Sequence, residues 1–545
     1  MHSRSRLLFL ILLLAVGTLA LPWAASAQEP VTSRLKLSIG GYIKPEFMYR
    51  TNAGAVAAGG VQFGVSNFGF TNTATQKNTV GGANGTGTFS AAETRLNFTL
   101  TAPDWRGIRP TAFLETDFAG DSAHVLDSYC PSLTVCAFAQ NAGSPDTGAF
   151  GYNNFRMRHA WLRLAGEGLG GSWNVTFGQS WGIFGMLPYY GGSSLSFGGA
   201  SVWGQRQPQL SFTHNLPLFK DFQWVNVIGV VNDTTRLNEM PAGEISSRFI
   251  WSGWQGWNGG ARSPTHLGIS ARVQRQKADL TATPSTTSYN FTARALSATS
   301  WGYTGGIFLP ILPGTSATDR TWGLSGLAEG GYGEGLNTII PGSNPFPAAV
   351  LLGANNRADP GGVYFKPSSC SLISGADVAT IASTPANTVC PTGYQPTELS
   401  LTKAAWASYN VQFYLPWGLW LSGGQKWEWM HGGDNAIART SILVGNTWTP
   451  VVPGLTTSFT TTTNQGQFDS ANGVSTCTNN GNCTNLNSGR DSVIKRLTYS
   501  YVAAFWDMTP NIRWGFEWGM GGANRKNSNQ DNQSHRWQFG GYYFF

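Results

Sequence analysis

Apolar and polar side chains alternate along several stretches of this chain, most regularly between Leu35 and Arg50. Every ionisable residue of that stretch falls on one parity, and the other parity is apolar. The same alternation returns from Glu93 to Leu100 and from Ile512 to Trp518. A period of two is typical of a β-strand, and in a membrane barrel the two faces meet lipid and water. The pattern therefore predicts strands with an apolar outside and a wet inside.

Short turns and long connections alternate along the chain, as they do in barrels that have short periplasmic turns and long outer loops. The short turns are predicted at Pro103–Gly107, Ala165–Ser172, Pro217–Asp221, Asn258–Ser263, Pro310–Asp319, Pro416–Gly418 and Thr509–Asn511. The long connections are centred on 51–90, 119–153, 182–205, 234–244, 278–294, 334–399, 431–490 and 524–534. These fifteen connections predict an all-β, antiparallel transmembrane β-barrel of about 16 strands. An even number of strands places both of its termini on the periplasmic side.

The first 27 residues have the pattern of a secretory signal peptide. Arg4 and Arg6 precede an apolar run from Leu7 to Leu21, which ends in the small residues Ala25-Ser26-Ala27. That run is shorter than the roughly 20 residues that a spanning helix requires, so a retained anchor is the weaker interpretation. We expect residues 1–27 to be cleaved and residues 28–545 to form the barrel of an exported protein.

The composition favours a membrane barrel over a soluble domain. Charged residues make up 12% of the chain, against about 25% in typical soluble domains, and 22 Trp raise the aromatic share to 13%. After the signal peptide, Gly, Asn, Ser and Thr interrupt every apolar run, so a bilayer would have to be crossed by paired strands. The net charge of +7 comes from scattered Lys and Arg, which gives no reason to expect nucleic-acid binding.

Six cysteines fall in the long connections, and an even number in an exported protein suggests disulfides. The simplest of the possible connectivities pairs neighbours within one loop, but sequence alone does not choose among them. Metal binding is the alternative interpretation of the six cysteines, but none of them has a His at the spacing of a metal-ligand motif. The candidate disulfides are Cys130 with Cys136, Cys370 with Cys390, and Cys477 with Cys483.

The last strand ends in an aromatic residue and alternates on the way to it. Trp537, Phe539, Tyr543 and Phe545 share one parity. This resembles the assembly signal of outer-membrane barrels, which the barrel-insertion machinery recognises. The resemblance implies the outer membrane of a Gram-negative bacterium as the location, with its lipid and lipopolysaccharide as the surroundings.

The order of several motifs resembles trimeric porins of Gram-negative bacteria, and most nearly the dicarboxylate-type, DcaP-like porins. The motifs cover residues 39–181, and beyond them only the strand rhythm and the closing strand match. They are Ile39-Gly40-Gly41-Tyr42-Ile43, Glu93-Thr94-Arg95-Leu96, Glu115-Thr116-Asp117-Phe118, Phe155-Arg156-Met157-Arg158-His159-Ala160-Trp161 and Phe177-Gly178-Gln179-Ser180-Trp181.

In such porins, the loop after the fifth strand folds into the barrel and narrows it. The resemblance implies that residues 182–205 do so here, with Met186, Tyr189, Tyr190 and Trp203 in the constriction. The facing wall would line the pore with Arg95, Arg109, Glu115, Asp117, Arg156 and Arg158. One interpretation is a mild preference for small anions, since arginine can bind carboxylates with two parallel hydrogen bonds. The other is an arginine ladder that has a structural role and gives little selectivity.

The parity of apolar residues is disturbed between Arg156 and Leu164. A β-bulge would explain it, and so would an outer face covered by protein. If His159 and Trp161 point outward, they suit a contact between subunits better than lipid, which favours a homotrimer.

The function that these patterns favour is a passive, water-filled porin for small hydrophilic solutes. It would have no cofactor, no metal and no catalytic residue. A channel specific for sugars or aromatic compounds is the nearest alternative, because Tyr189, Tyr190 and Trp203 fall in the predicted constriction. A barrel enzyme lacks support from any nucleophile, zinc or phosphate-loop motif, although a triad assembled from distant residues would leave no such motif. A soluble, secreted β-rich binding protein is the third alternative to a porin.

Overall fold

The computed structural model describes the strands of the chain and parts of its loops. The described residues are 35–50, 86–120, 154–185, 194–195, 206–232, 240–280, 294–316, 318–336, 403–431, 494–525 and 532–545, with short pieces between 363 and 401 and between 441 and 460. The predicted signal peptide lies outside them. Within the described residues, no helix is long and apolar enough to cross a membrane.

Sixteen strands form the barrel, and the first two are each interrupted once. In chain order they are β1 (Lys36–Ile43 and Glu46–Arg50), β2 (Thr86–Ser90 and Arg95–Thr101), β3 (Arg109–Gly120), β4 (Asn154–Gly168), β5 (Gly171–Trp181), β6 (Arg206–Phe219), β7 (Phe222–Val231), β8 (Ala242–Asn258), β9 (Ala261–Leu280), β10 (Arg294–Leu312), β11 (Leu324–Glu334), β12 (Lys403–Tyr414), β13 (Leu419–His431), β14 (Ile494–Thr509), β15 (Ile512–Arg525) and β16 (Asn532–Phe544).

Each strand pairs antiparallel with its neighbours in sequence, and β16 returns to β1. At this seam Tyr42 lies opposite Phe544, and Glu46 lies opposite Gly540. The interruption of β1 falls at Lys44 and Pro45, where Pro45 has no N–H to donate and its carbonyl accepts a bond from Gly541 instead. The predicted fold class, a closed antiparallel barrel of 16 strands, is confirmed.

Strand β9 illustrates the two faces of the wall. Leu267, Ile269 and Val273 are each more than half exposed on the outside, whereas Ser270 and Arg272 on the opposite parity are buried. The buried side chains face a lumen that is polar, and the exposed ones form an apolar outer surface. This arrangement is the reverse of a soluble protein and is what lipid requires of a barrel.

Exposed aromatic residues form two belts on the outer face. The upper belt lies near the long loops and contains Tyr49, Phe89, Phe155, Trp301 and Tyr303. The lower belt lies near the short turns and contains Trp105, Phe219, Phe222, Trp251, Trp322, Trp417, Trp506, Trp514, Tyr543 and Phe545. Aromatic belts at both rims of an apolar band are typical of barrels that cross a membrane.

The seven short turns lie where the sequence predicts them. Five contain a non-glycine residue with positive φ, among them Trp417 at 62°, followed by Gly418 at 78°. Such backbone fits tight connections between twisted antiparallel strands. The long stretch between 232 and 290, whose strand boundaries the pattern does not define, contains the whole of β8 and β9.

The disturbed parity in β4 comes from a bulge, and the expectation that His159 and Trp161 point outward is wrong. The register shifts between β3 and β4, so that Glu115 lies opposite His159 while Thr116 lies opposite Met157. The extra residue turns the following part of β4 over, which puts His159 on the lumen side, where it is buried. Trp161 stacks on inward-facing Phe113, with ring centroids 5.3 Å apart. These two residues therefore give no argument for a subunit contact.

Replacing Ile269 by Arg tests the assignment of the outer face. Ile269 lies between the levels of the two aromatic belts and is 59% exposed. We expect the free energy of unfolding to fall by about 2–4 kcal/mol, because the charge would enter the middle of the bilayer. Urea titration of the protein in phospholipid vesicles measures this. The control Thr213→Arg adds the same charge on the lumen side, and an equal loss in both variants would contradict the assignment.

Candidate functional site in the barrel lumen

The loop that follows β5 turns into the lumen immediately. The backbone N–H groups of Ile183 and Phe184 donate to one carboxylate oxygen of Glu244, at 2.8 and 2.9 Å. The N–H of Gly185 donates to the hydroxyl of Ser270 at 3.1 Å. Glu244 is buried on β8 and forms an ion pair with Arg272 of β9. The stem of the loop is therefore fixed to this wall through charge-assisted hydrogen bonds.

A later part of the same loop is fixed to a second wall. The hydroxyl of Ser194 and the N–H of Leu195 both donate to Oε2 of Glu517 on β15, at 2.6 and 2.8 Å. The other oxygen of Glu517 accepts bonds from Arg536 and Tyr499, at 2.9 and 2.8 Å. Both oxygens of this buried carboxylate therefore accept hydrogen bonds, Oε1 from the wall and Oε2 from the loop.

Lys44 holds the same part of the loop from the seam. Its ammonium group donates to the carbonyl of Leu195 at 2.8 Å and forms ion pairs with Glu46 and Glu93. In the order of the sheet, β8 and β9 lie almost opposite β15 and β1. The described residues of the loop, 182–185 and 194–195, are therefore bonded to two walls that lie almost opposite each other across the lumen.

Apolar contacts accompany both attachments. Phe184 packs with Leu336, Ala404 and Trp406, and its ring lies 6.3 Å from that of Trp406. Leu195 packs into a cluster of inward-facing side chains on β12, β13 and β14, which contains Tyr414, Trp420, Tyr499, Tyr501, Ala503 and Phe505. Burial of these groups adds the hydrophobic contribution that two hydrogen-bonded carboxylates alone would not supply.

Five of the six predicted pore-lining residues lie together on β2, β3 and β4. Arg158 bridges Glu115 and Asp117 at 2.6 and 2.7 Å. Arg156 makes two bonds to Asp117, at 2.9 and 2.6 Å. Arg95 lies 3.9 Å from Glu115. The structure brings these five residues together, and the bulge in β4 decides how the arginines reach the two acids.

The sixth predicted residue, Arg109, lies apart from that cluster. It starts β3 at the periplasmic rim and pairs with Glu167 at 3.2 Å, and both side chains are more than half exposed. A pair so open to water contributes little to stability or to the field in the lumen. Arg109 belongs to the rim rather than to the narrow part of the barrel.

Two arginines that the sequence analysis did not single out join the same wall. The guanidinium of Arg206 lies 5.2 Å from the ring of Trp181, and that of Arg163 lies 4.4 Å from the ring of Trp161. Neither forms a salt bridge to an acidic residue of the described segments. With Arg95, Arg156 and Arg158, they outnumber Glu115 and Asp117. Arg163 lies in the stretch whose parity is disturbed, so alternation did not assign its face, and nothing in the sequence ranked either arginine above the others.

Several predicted features lie outside the described residues. These are the constriction residues Met186, Tyr189, Tyr190 and Trp203, and five of the six cysteines. The backbone of Cys370 is described and pairs with Pro396, but that of Cys390 is not. The disulfides therefore stay predictions. In the segments that are described, no group of His, Cys, Asp and Glu could hold a metal ion.

A second element enters the lumen from the periplasmic side. Beyond the Trp251–Thr265 pair, the β8–β9 hairpin no longer pairs with β7 or β10. Its turn bends over the barrel mouth, where the N–H of Gly259 donates to Gln412 at 2.7 Å. The carbonyl of Gly259 accepts a bond from Arg513 at 3.1 Å. Because Gln412 and Arg513 face the lumen from β12 and β15, this hairpin narrows the mouth.

Comparison with known proteins gives similar folds and no family assignment. No protein-family model matches the chain, and no curated protein matches it. Among solved structures, the outer-membrane channel DcaP of Acinetobacter baumannii is 13% identical, with a TM-score of 0.49 and coverage of 94% of this chain and 98% of that one. An anion-selective porin from Comamonas acidovorans is 9% identical, with a TM-score of 0.42 and coverage of 94% and 100%. OprB of Pseudomonas putida is 9% identical, with a TM-score of 0.40 and coverage of 94% of each chain. Similarity at these levels carries no information about function, which has to come from the residues of the barrel itself.

Replacing Glu517 by Gln tests the attachment of the loop. The amide keeps the shape of the side chain but loses the charge that strengthens the bonds from Ser194 and Leu195. We expect single-channel recordings in a planar bilayer to give a higher and noisier open-channel current, because the loop is held less firmly. Glu428→Gln is the control, since this buried glutamate of β13 makes no hydrogen bond to the loop. Identical current traces for the two variants would contradict the attachment.

Shortening the β8–β9 hairpin tests whether it narrows the mouth. Replacing residues 252–264 by Asn-Gly would close the hairpin at the Trp251–Thr265 pair with a two-residue turn. The shortened barrel is expected to conduct more current per channel at the same salt concentration. The variant Ala261→Ser changes an exposed residue beside the turn, keeps the full length of the hairpin and is the control. Unchanged conductance after shortening would mean that the narrowest part lies elsewhere.

Proposed function

We propose that this protein is an outer-membrane porin, a water-filled channel through which small hydrophilic solutes diffuse passively. The observation that carries the proposal is the geometry of the loop after β5. Its described residues bond to Glu244 on one wall and to Glu517 on a wall almost opposite. A barrel of sixteen strands is wider than its inward side chains can fill, and an anchored loop narrows such a lumen to a selective passage.

The wall opposite the loop supports a mild preference for small anions. Five arginines on β2, β4 and β6 face the lumen near only two acidic residues, both on β3. Two of the five arginines have no acidic partner among the described residues. Charged side chains ringed around a narrow aqueous path select ions by sign. Arginine also offers carboxylates two parallel hydrogen bonds, so small carboxylates are the favoured class of anion.

The proposal places the chain in the outer membrane of a Gram-negative bacterium, as a homotrimer inserted by the barrel-insertion machinery. The apolar outer face and its two aromatic belts support residence in a lipid bilayer. The outward-facing aromatic residues of β16, including Phe539 and Tyr543, lie at the seam with β1. Trimerisation rests on the resemblance in sequence alone, and a mass of one chain per particle in mild detergent would refute it.

The proposal includes no catalytic role and no cofactor. A channel specific for sugars or aromatic compounds remains the second candidate, favoured by the stacked pair of Phe113 and Trp161 on the lumen side. Block of the current by added sugars, without block by carboxylates, would favour that candidate. Hydrolysis of an ester or peptide by the purified barrel would instead favour a barrel enzyme.

Reversal potentials across a potassium chloride gradient test the anion preference. We expect the wild-type channel to give a potential of the sign that chloride permeation produces. In the double variant Arg156→Gln/Arg206→Gln, the potential should move toward zero, because two positive charges leave the lumen wall while Asp117 keeps its pair with Arg158. Arg109→Gln is the matched control for loss of an arginine at the rim. A cation-biased wild-type channel would refute the preference, and an equal effect of the control would refute the role of this wall.

A further inference from the structure

A cavity of about 150 Å³ lies between the wall and the stem of the inward loop. The strands β4 to β8 form its floor, and Gly182, Ile183 and Gly185 of the loop form one side. The wall contributes Arg163, which is the one cation in the lining, and the apolar side chains of Trp181 and Val227. The other wall side chains are polar and uncharged, namely Thr176, Ser180, Gln209, Ser211, Thr213 and Ser246.

Arg163 is held in place with most of its donors unused. Its guanidinium carbon lies over the ring of Trp161, 4.4 Å from the ring centre, and Trp161 is in turn stacked on Phe113. Nε donates to the hydroxyl of Thr176 at 3.2 Å. The terminal nitrogens make no further bond within the described residues, and a guanidinium has five N–H donors in a fixed planar fork. This preorganised fork is suited to a carboxylate, which accepts two parallel bonds.

The opposite side of the cavity offers acceptors and hydroxyl groups. The amide of Gln209 donates to the carbonyl of Trp181 at 2.7 Å, which orients the side chain. Its oxygen is buried and has no hydrogen-bond partner. Such an acceptor costs free energy unless a ligand or water donates to it. Ser211 lies two residues further along β6, is buried, and stands directly opposite Thr176 of β5.

We propose that this cavity is a binding subsite for small hydroxycarboxylates on their way through the channel. Arg163 holds the carboxylate, and the oxygen of Gln209 accepts the hydroxyl proton of the same solute. A cavity of this volume takes a solute about the size of benzene, that is, about six non-hydrogen atoms. The inference deepens the proposed function, since it assigns a solute class to a site in the same lumen.

The test uses lactate as the probe and measures its binding to the purified barrel in detergent by saturation-transfer NMR. Lactate has six non-hydrogen atoms, a carboxylate and one hydroxyl. Lactamide has the same shape without the charge. We expect saturable binding of lactate and much weaker binding of lactamide. Arg163→Gln should weaken lactate binding by about tenfold, because a charge-assisted pair of hydrogen bonds is lost.

Three further variants distinguish lactate binding in the cavity from a general effect of positive charge in the lumen. Arg109→Gln removes an arginine outside the cavity and should leave lactate binding unchanged. Arg163→Lys keeps the charge but not the fork, so binding should be intermediate. Ser211→Phe fills the cavity and keeps Arg163, and it should abolish binding while leaving the sign of the reversal potential unchanged. Equal lactate binding by the wild type and Arg163→Gln, or undiminished binding by Ser211→Phe, would overturn the subsite.

The binding measurement does not depend on conduction, so the two proposals can fail separately. A barrel that conducts with the expected anion bias but binds lactate no better than lactamide keeps the porin proposal and loses the subsite. A barrel that binds lactate through Arg163 but passes no current keeps the subsite and loses the porin proposal.

Discussion

Closure of the sheet between β1 and β16 is the constraint on which the rest of the structure depends. In a bilayer, an unpaired row of backbone N–H and carbonyl groups costs several kcal/mol per group, so an open edge is not tolerated. The chain meets this requirement even where β1 is interrupted. Pro45 has no N–H, and its carbonyl still accepts a bond from Gly541 on the other side of the seam. Once the ring is closed, alternation alone decides which side chains meet lipid and which meet water.

The closed ring creates a wide polar lumen in which charged side chains have to find partners. Two buried glutamates of the wall find part of their hydrogen-bond partners in the loop. Glu244 is neutralised by Arg272, Glu517 is neutralised by Arg536, and each still accepts two bonds from the loop. Removal of one partner from a buried pair leaves an uncompensated charge, so loop and wall stabilise each other. The arginines of β2 to β6 lie on the stretch of wall between these two attachments.

The sequence predicts the wall better than it predicts the interior. Strands, turns and the inward parity follow from a period of two, which any stretch such as 35–50 displays locally. The bulge at Arg158 could be suspected from the broken parity, but the choice between a bulge and a covered outer face needed the register with β3. The attachments of the loop were not predictable in this way. Glu517 is separated by 322 residues from Leu195, and no local pattern links the two.

The same limit applies to the arginines. The group around Glu115 and Asp117 was predicted from the resemblance of the motifs to known porins, and no charge pattern in the sequence would have defined it. Arg163 and Arg206 stand out only in three dimensions, where each lies against an aromatic ring without an acidic partner in the described residues. The position of Arg163 follows from the bulge in β4, and that of Arg206 follows from the point at which the loop returns to the wall at the start of β6. Both are properties of the assembled wall.

The most direct test of this account is the current through single molecules of the purified protein in a planar bilayer. A closed barrel that a loop narrows without filling predicts discrete, steady conductance steps at every salt concentration tried. A correctly folded, membrane-inserted barrel that passes no current would contradict the account, because the loop and the periplasmic hairpin would then close the lumen completely.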